Sequence, residues 1–459
     1  MVPRALGIVA RDRFSAAPRV RKGADGLQSS LLGYCVGVGS LQRSESQSHR
    51  PGEVRRLAGL GALALGIMVP VTVPVPVLRE LVQDRYAVSE LLTSLFMSIN
   101  MVGALFAAPL AGALLDRWGR PRALIVTALV ADGIGFFALT MPISFPVFLA
   151  VRFAEGCAHI AALSVLLTLA STALPAARRG RAMGLVGGSM MLGVALGAPL
   201  GGVLGRSDPL LPLRVGGVLL LSAAVVAAVS AGGTTARDER PGLREIVAAL
   251  RAYPAILLPL AFAFADRFTV GFFTTTFSLY LRRIHDLSSA EIGLAIACFM
   301  IPFALLSYPL GRIAERRSVI GLLCGGSLIY GIGTAAVGFV APPGPLLALM
   351  FAIGIAAAVM FVPSMLLTIQ IAPAAIRATA LGAFNAAGSL GFVAGPLVGG
   401  SISQLVAGAW GDWLSGYRVA FAVAGASEAL CVVLALPVLL RLSRAGSSQN
   451  PAAPSPPPT

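Results

Sequence analysis

Apolar residues recur along this chain in long stretches separated by short polar links. Twelve such stretches lie near residues 57–78, 91–114, 122–141, 144–172, 181–205, 212–231, 254–281, 289–311, 318–340, 345–372, 379–408 and 418–440. A helix that crosses a bilayer needs about 20 mostly apolar residues, and each stretch approaches or exceeds that length. The pattern therefore predicts an all-α membrane protein with twelve transmembrane helices.

The polar links define the expected domains. The longest, 232–253, falls between the sixth and seventh stretches and reads as a cytoplasmic linker joining a six-helix half, 57–231, to a second half, 254–440. Residues 1–56 are rich in Arg, Ser and Gly, lack an apolar run followed by a small-residue cleavage site, and read as a basic, disordered cytoplasmic tail. Residues 441–459, with their Ser/Pro/Ala-rich end, read as a second disordered cytoplasmic tail.

Composition sharpens this picture. Fifty-six per cent of the 459 residues are hydrophobic and 12% are charged, against about 25% charged in soluble domains. That excludes an ordinary cytosolic enzyme and a nucleic-acid-binding module. The net charge of +15 follows topology instead. With the N-terminus inside, inner loops hold fourteen arginines and outer loops seven, while the two tails add twelve basic residues to the inside. This is the positive-inside pattern, with both termini cytoplasmic in a cell (inner) membrane. Among the basic residues only Lys22 is lysine, a bias read as that of a GC-rich bacterial genome.

The chain repeats itself. Leu149–Gly156 aligns with Leu347–Gly354, 198 residues later; Gly193, Gly197 and Gly201 align at the same offset with Gly391, Gly395 and Gly399. Gly112-x3-Asp116-Arg117 is echoed by Gly311-x3-Glu315-Arg316. Two six-helix halves from one duplicated unit are the layout of secondary transporters, whose substrate site lies between the halves near the midplane.

Between the second and third stretches stands Gly112-Ala-Leu-Leu-Asp116-Arg117-Trp-Gly119-Arg120-Pro-Arg122. It resembles the inter-helix signature of the major facilitator superfamily at six positions; Pro121 departs from it, a basic residue being common there. The resemblance covers about residues 57–440. It implies the twelve-helix, two-half fold of that family, with Asp116 meeting the N-terminus of the eleventh helix as part of a cytoplasmic gate. Glu315, with Gly311 and Arg316, would do the same for the fifth helix. An anion at a helix N-terminus is favoured by the partial positive charge there. The alternative is purely topological, with the arginines holding the loop inside.

Two further resemblances bear on activity. Gly193-Val-Ala-Leu-Gly197-Ala-Pro199-Leu-Gly201-Gly202 is similar to the glycine/proline signature of drug–proton antiporters, with Ala198 intervening; the eleventh stretch has the contiguous Gly395-Pro396. Glycines every four residues allow close helix approach, and packing alone is the competing reading. Arg152-Phe-Ala-Glu155-Gly156 resembles the family's R-x-x-x-G signature, whose arginine is linked to proton handling. Arg152, Glu155 and His159 share a helix face, and three ionisable groups there are costly unless they meet a polar cavity or one another. Glu155 is expected to exchange a proton, its affinity set by burial against pairing with Arg152, with His159 assisting. A static Arg152–Glu155 pair is the alternative.

In the seventh stretch, Asp266, Thr269, Phe273, Thr276 and Tyr280 fall on one face, a plausible site for a cationic or hydrogen-bonding, partly apolar substrate. Adjacent helical residues point about 100° apart, so Asp266 and Arg267 are expected not to pair. Asp266 as a second proton carrier, or Arg267 in an inter-half ion pair, competes with the substrate reading. Asn385 and Ser389 reach toward the same cavity or merely pack. Asp132 and Glu428 lie in helices that the resemblance places outermost, and have no partner legible in the sequence.

Neither a zinc site nor a disulfide framework is expected from five scattered cysteines and three histidines. Gly133–Ala138 and Gly331–Ala336 fit a dinucleotide pattern but lie inside apolar stretches with no strand before them. No nucleophile–base pair can be assembled, so the chain is read as a transporter and not an enzyme. The expectation is proton-coupled efflux of small amphipathic compounds by a monomer in the bilayer. It needs protons and a substrate but no cofactor and no nucleic acid. Proton-coupled uptake and a non-transporting ligand sensor are the alternatives.

Overall fold

Lipid offers no partner to a backbone amide, so an apolar run that crosses it must satisfy its own hydrogen bonds as a helix. The computed structural model, which describes residues 51–174, 179–230, 243–314, 317–373 and 376–447, follows that rule. The helices are α1 Pro51–Thr72, α2 Glu90–Trp118, α3 Pro121–Ala138, α4 Phe145–Ser171, α5 Arg179–Leu204 and α6 Leu211–Ser230. They continue as α7 Leu243–Ala252, α8 Leu257–Thr274, α9 Thr276–His285, α10 Ser289–Ala314, α11 Val319–Ala336, α12 Gly344–Ile371, α13 Arg377–Trp410 and α14 Trp413–Ser447. Among the described residues twelve spans are long and apolar enough to cross a membrane, with α8 and α9 forming one of them.

The helix pairs recur in the second half of the chain. α2 packs on α4 as α10 packs on α12; α3 on α6 as α11 on α14. α5 lies against α1 as α13 lies against α8. This is the two-fold pseudo-symmetry of the twelve-helix fold. The halves meet where α5 packs on α10 and α2 on α13.

Glycines permit the closest of these approaches. A Cβ at Gly197 would fall on the Val69 carbonyl and the Thr72 hydroxyl, and one at Gly395 on the Phe268 carbonyl. Gly156 meets the Asn100 carbonyl and Gly354 the Phe299 carbonyl. The small-residue stripes therefore bring backbone to backbone.

Three departures from regular helix position the polar groups. Pro74 and Pro76 each lack an amide donor; Pro74 precedes and Pro76 lies within a 3-10 turn, Val75–Val77, which leads into a π turn, Arg79–Asp84. The seventh span breaks at Thr275 (φ −136°, ψ −76°). The linker read between the halves contains an amphipathic helix, α7, which packs on α13 and places Leu250 against the core of Ile256, Leu260, Ala380 and Phe384. α1 begins at Pro51, inside the segment read as tail.

Candidate functional site

On α4 the structure brings Arg152, Glu155 and His159 together with two residues from neighbouring helices. Arg152 Nη1 donates to Glu155 Oε2 at 2.5 Å. The same oxygen accepts from Asn100 Nδ2 on α2 at 2.6 Å. His159 Nδ1 lies 3.0 Å from Asp132 Oδ2 on α3. The guanidinium of Arg152 also sits 4.7 Å over the Phe96 ring. Arg152, Glu155 and Asp132 are buried, whereas the His159 side chain is 12% exposed. The group lies among α2, α3 and α4 of one half.

Asp132, Glu155 and His159 each bring one polar atom to within 4.8 Å of the others. Two carboxylates and one guanidinium sum to a single negative charge. Glu155 is already held by Arg152 and Asn100, so what the cluster lacks is one positive charge.

In the second half, Asp266 and Arg267 do pair, Arg267 Nη1 donating to Asp266 Oδ2, which corrects the expectation from helix geometry. The arginine side chain is long enough to cross the angular gap that separates neighbouring Cβ atoms. Its guanidinium lies 4.7 Å over the Phe361 ring and 6.0 Å from that of Phe392. It is 19% exposed, against 8% for Asp266. Thr269 Oγ1 and Tyr330 Oη of α11 are 2.9 Å apart. Phe273 is enclosed by Phe277 and Phe299, and Tyr280 by His285, Tyr417 and Phe421. The break at Thr275 interrupts the single face expected from Asp266 to Tyr280. Asn385 is exposed on α13, and Ser389 Oγ turns back to the Asn385 carbonyl.

A third constellation was not legible in the sequence as a site. It joins the halves at the end where α1 finishes and α2 begins, opposite the start of α1. Tyr417 Oη, at the start of α14, donates to Glu90 Oε1 at 2.6 Å, and Arg283 Nη2 lies 3.7 Å from the other Glu90 oxygen. Arg282 Nε donates to Glu80 at 2.6 Å, Ser278 Oγ to the Val75 carbonyl at 2.7 Å, and Ser289 Oγ to the Gly202 carbonyl at 2.9 Å. Gln404 accepts from the Leu91 amide. Trp413 lies under the Arg283 guanidinium at 3.7 Å. No repeat or spacing flags these residues, because the two partners of each contact come from different chain segments.

At the opposite end, Arg117, Gly119 and Arg120 are exposed, with Gly119 in the left-handed region at φ +58°, where lack of a side chain is useful. Arg122, the second residue of α3, is also exposed. Gly112 and Asp116 lie within α2 and Gly311 within α10, but the Asp116 side chain, Glu315 and Arg316 are outside the described residues. On α5 and α13, Gly193, Gly197, Gly201, Gly391, Gly395 and Gly399 all face close neighbours. Pro199 and Pro396 lie inside their helices, and Gly271 approaches Pro396. Asp132 gains His159 as its partner, while Glu428 is fully buried on α14 with neither oxygen hydrogen-bonded among the described residues.

Comparison with known proteins places this geometry. Residues 58–280 and 260–458 match the family model described as Major Facilitator Superfamily. A chloramphenicol resistance protein from Streptomyces lividans is 31% identical over 353 residues, covering 72% of this chain and 84% of that protein. A 3-(3-hydroxy-phenyl)propionate transporter from Escherichia coli is 28% identical over 353 residues, covering 72% and 82%. The solved structure of a bacterial homolog of the human lysosomal transporter Spinster, inward-facing and unoccupied, superimposes with a TM-score of 0.73 at 17% identity, covering 86% of this chain and 99% of that one.

Proposed function

The chain belongs to the Major Facilitator Superfamily, and from that premise we propose that it exports small amphipathic compounds across a bacterial inner membrane in exchange for protons. The fold is that of a multi-pass secondary transporter working by alternating access. The finer reading, proton-coupled efflux, is carried by one observation: an ion pair, Arg152–Glu155, buried in the middle of a membrane helix beside His159 and Asp132. Such groups are expensive in lipid and mark proton or substrate pathways. The glycine/proline stripe on α5 and the resistance named for the Streptomyces relative support export.

Positive-inside loops put both termini in the cytoplasm. The Glu90–Tyr417, Glu80–Arg282 and Ser278–Val75 contacts then seal the outer face. Opening that face requires breaking them, which assigns these residues to an outer gate. Asp116 and Glu315 are proposed for the inner one. In this arrangement the substrate would meet Arg267, Phe361 and Phe392 from the inner side, and Asp266 tunes the charge it meets.

A second reading is proton-coupled uptake of an aromatic acid. The observation favouring it is the partly exposed Arg267 between two phenyl rings, a setting suited to a carboxylate attached to an aromatic ring. The propionate transporter named above is consistent with it.

The test is pH-gradient dequenching in inverted membrane vesicles, with chloramphenicol and 3-(3-hydroxyphenyl)propionate as probes and empty-vector vesicles as the control. Compound-dependent proton release by the intact protein alone is the expected result. Proton movement in the opposite sense with the propionate would favour symport. Transport of either probe that is indifferent to the gradient would overturn proton coupling.

A further inference from the structure

Asp132 is the residue whose place in the fold was least legible from sequence and whose surroundings are the most specific. It is fully buried on α3, its Oδ2 lies 3.0 Å from His159 Nδ1, and its Oδ1 has no hydrogen-bond partner among the described residues. We propose that His159 is a one-proton site held by Asp132, and that the bound proton closes a second buried ion pair beside Arg152–Glu155, tying α3 to α4.

The charge count carries the argument. A carboxylate accepts only, so the ring nitrogen facing Asp132 bears the hydrogen, and Nε2 of the neutral ring keeps a lone pair. In that state Asp132, Glu155 and Arg152 leave one uncompensated negative charge in a buried, mostly apolar setting. Burying an unpaired charge is far more costly than burying a paired one. One proton taken up at Nε2 forms a single N–H bond, breaks none within the protein, and makes the ring an imidazolium. The cluster is then neutral, as two ion pairs. His159 is its one partly exposed acid–base group, so it is the point of entry.

Within the cluster Glu155 is the alternative proton acceptor, and Arg152 and Asn100 hold it as a carboxylate; no charge from outside the cluster competes for the role. From α2 the cluster meets Asn100, an amide, and the Phe96 ring; the charged residues Glu90, Asp116 and Arg117 lie at that helix's ends. From α4 it meets Arg152 and Glu155; the nearby Cys157 thiol is turned to the Gly103 carbonyl. α6, which packs on α3, carries one charged residue, Arg214, and this pairs with Asp208 near the helix start. From α5, which packs on α4, Arg179 and Arg181 stand at the first turn.

The inference deepens the proton-coupled reading and rests on it for its role in transport, but the site can be tested without a substrate. The chain has three histidines, His49, His159 and His285. Nitrogen NMR of histidine-labelled full-length protein in lipid nanodiscs would therefore resolve His159, identified by the signal lost in His159→Gln. In the wild type the ring should pass from neutral to doubly protonated as the sample is taken from about pH 9 to about pH 5. Asp132→Asn should weaken the hold on that proton about ten-fold or more, one pH unit, and Asp132→Glu should restore most of it. A wild-type ring that stays neutral throughout, or one that titrates alike in wild type and Asp132→Asn, overturns the proposal. If Asp132→Asn does not fold, a wild-type ring that stays neutral still overturns the proposal, and Asp132→Ser supplies the comparison without the carboxylate. A working proton site in a protein whose vesicles release no protons with substrate would refute the coupling reading and leave this one standing.

Discussion

Tyr417 donates a 2.6 Å hydrogen bond to Glu90 from the opposite half of the molecule, and the Glu90 side chain is sealed from solvent where it accepts it. Hydrogen bonds to charged groups contribute about 1.5–3 kcal/mol. Tyr417→Phe keeps the ring against Trp413 and Tyr280 while deleting the donor. The expected result is a shift of roughly ten-fold or more toward the state open at that end. Faster hydrogen exchange at Val75–Val77 and Thr276–Tyr280 would report it; unchanged exchange there would remove Tyr417 from the gate.

The α5 glycines divide into two kinds. Gly201 faces the Val73 carbonyl, whereas an added Cβ at Gly184 meets nothing within 4 Å. Gly201→Ala should destabilise the protein by about 1–3 kcal/mol, as overpacking does. Gly184→Ala should be neutral or slightly stabilising, since alanine is the better helix former. Thermal unfolding of the two purified variants in one detergent makes the comparison, and equal melting temperatures would contradict it.

Removing one member of a buried ion pair leaves the other uncompensated, at a cost of about 3–5 kcal/mol. Arg152→Ala is therefore expected to be strongly destabilised. The double substitution of Arg152→Met with Glu155→Gln should recover most of that loss, because no bare charge remains. If the pair also serves coupling, the double variant should melt near wild type yet exchange substrate with no pH dependence. A stable double variant with wild-type pH dependence would reduce Arg152–Glu155 to a packing device.

Asp412 caps α14 outside the spans. Its carboxylate accepts from the Leu414 and Ser415 amides and the Ser415 hydroxyl, and these bonds hold it below its ordinary carboxylate range. A depressed value means the cap is intact above the ordinary Asp value and is lost only as pH falls through the lowered one. Asp412→Ala should fray the first turn of α14, visible as faster amide exchange at Leu414 and Ser415. Between about pH 5 and pH 8 the variant and the wild type should show the same pH dependence of transport, since the cap does not titrate there.

The spans were legible because their physics is local. A run of about 20 apolar residues must become a helix in lipid whatever surrounds it, and the duplicated glycines at Gly197 and Gly395 mark helices that pack closely without saying against which neighbour. The Asp266–Arg267 pair was misread because angular spacing describes Cβ directions and ignores the reach of a guanidinium. The contacts at the end opposite the start of α1 escaped entirely: Glu80, Glu90, Arg282, Arg283 and Tyr417 look like ordinary span-end residues until four chain segments converge.

What the sequence by itself determined, then, was the number of membrane spans, their two-fold repeat, and the presence of Arg152, Glu155 and His159 on one face of α4. Only the tertiary structure decided their partners. Asp132 reaches His159 because α3 packs on α4, and Asn100 reaches Glu155 because Gly156 lets α2 come close. Hydrophobic periodicity reports which residues avoid water; it carries no information about which charge on another helix will stand within 3 Å.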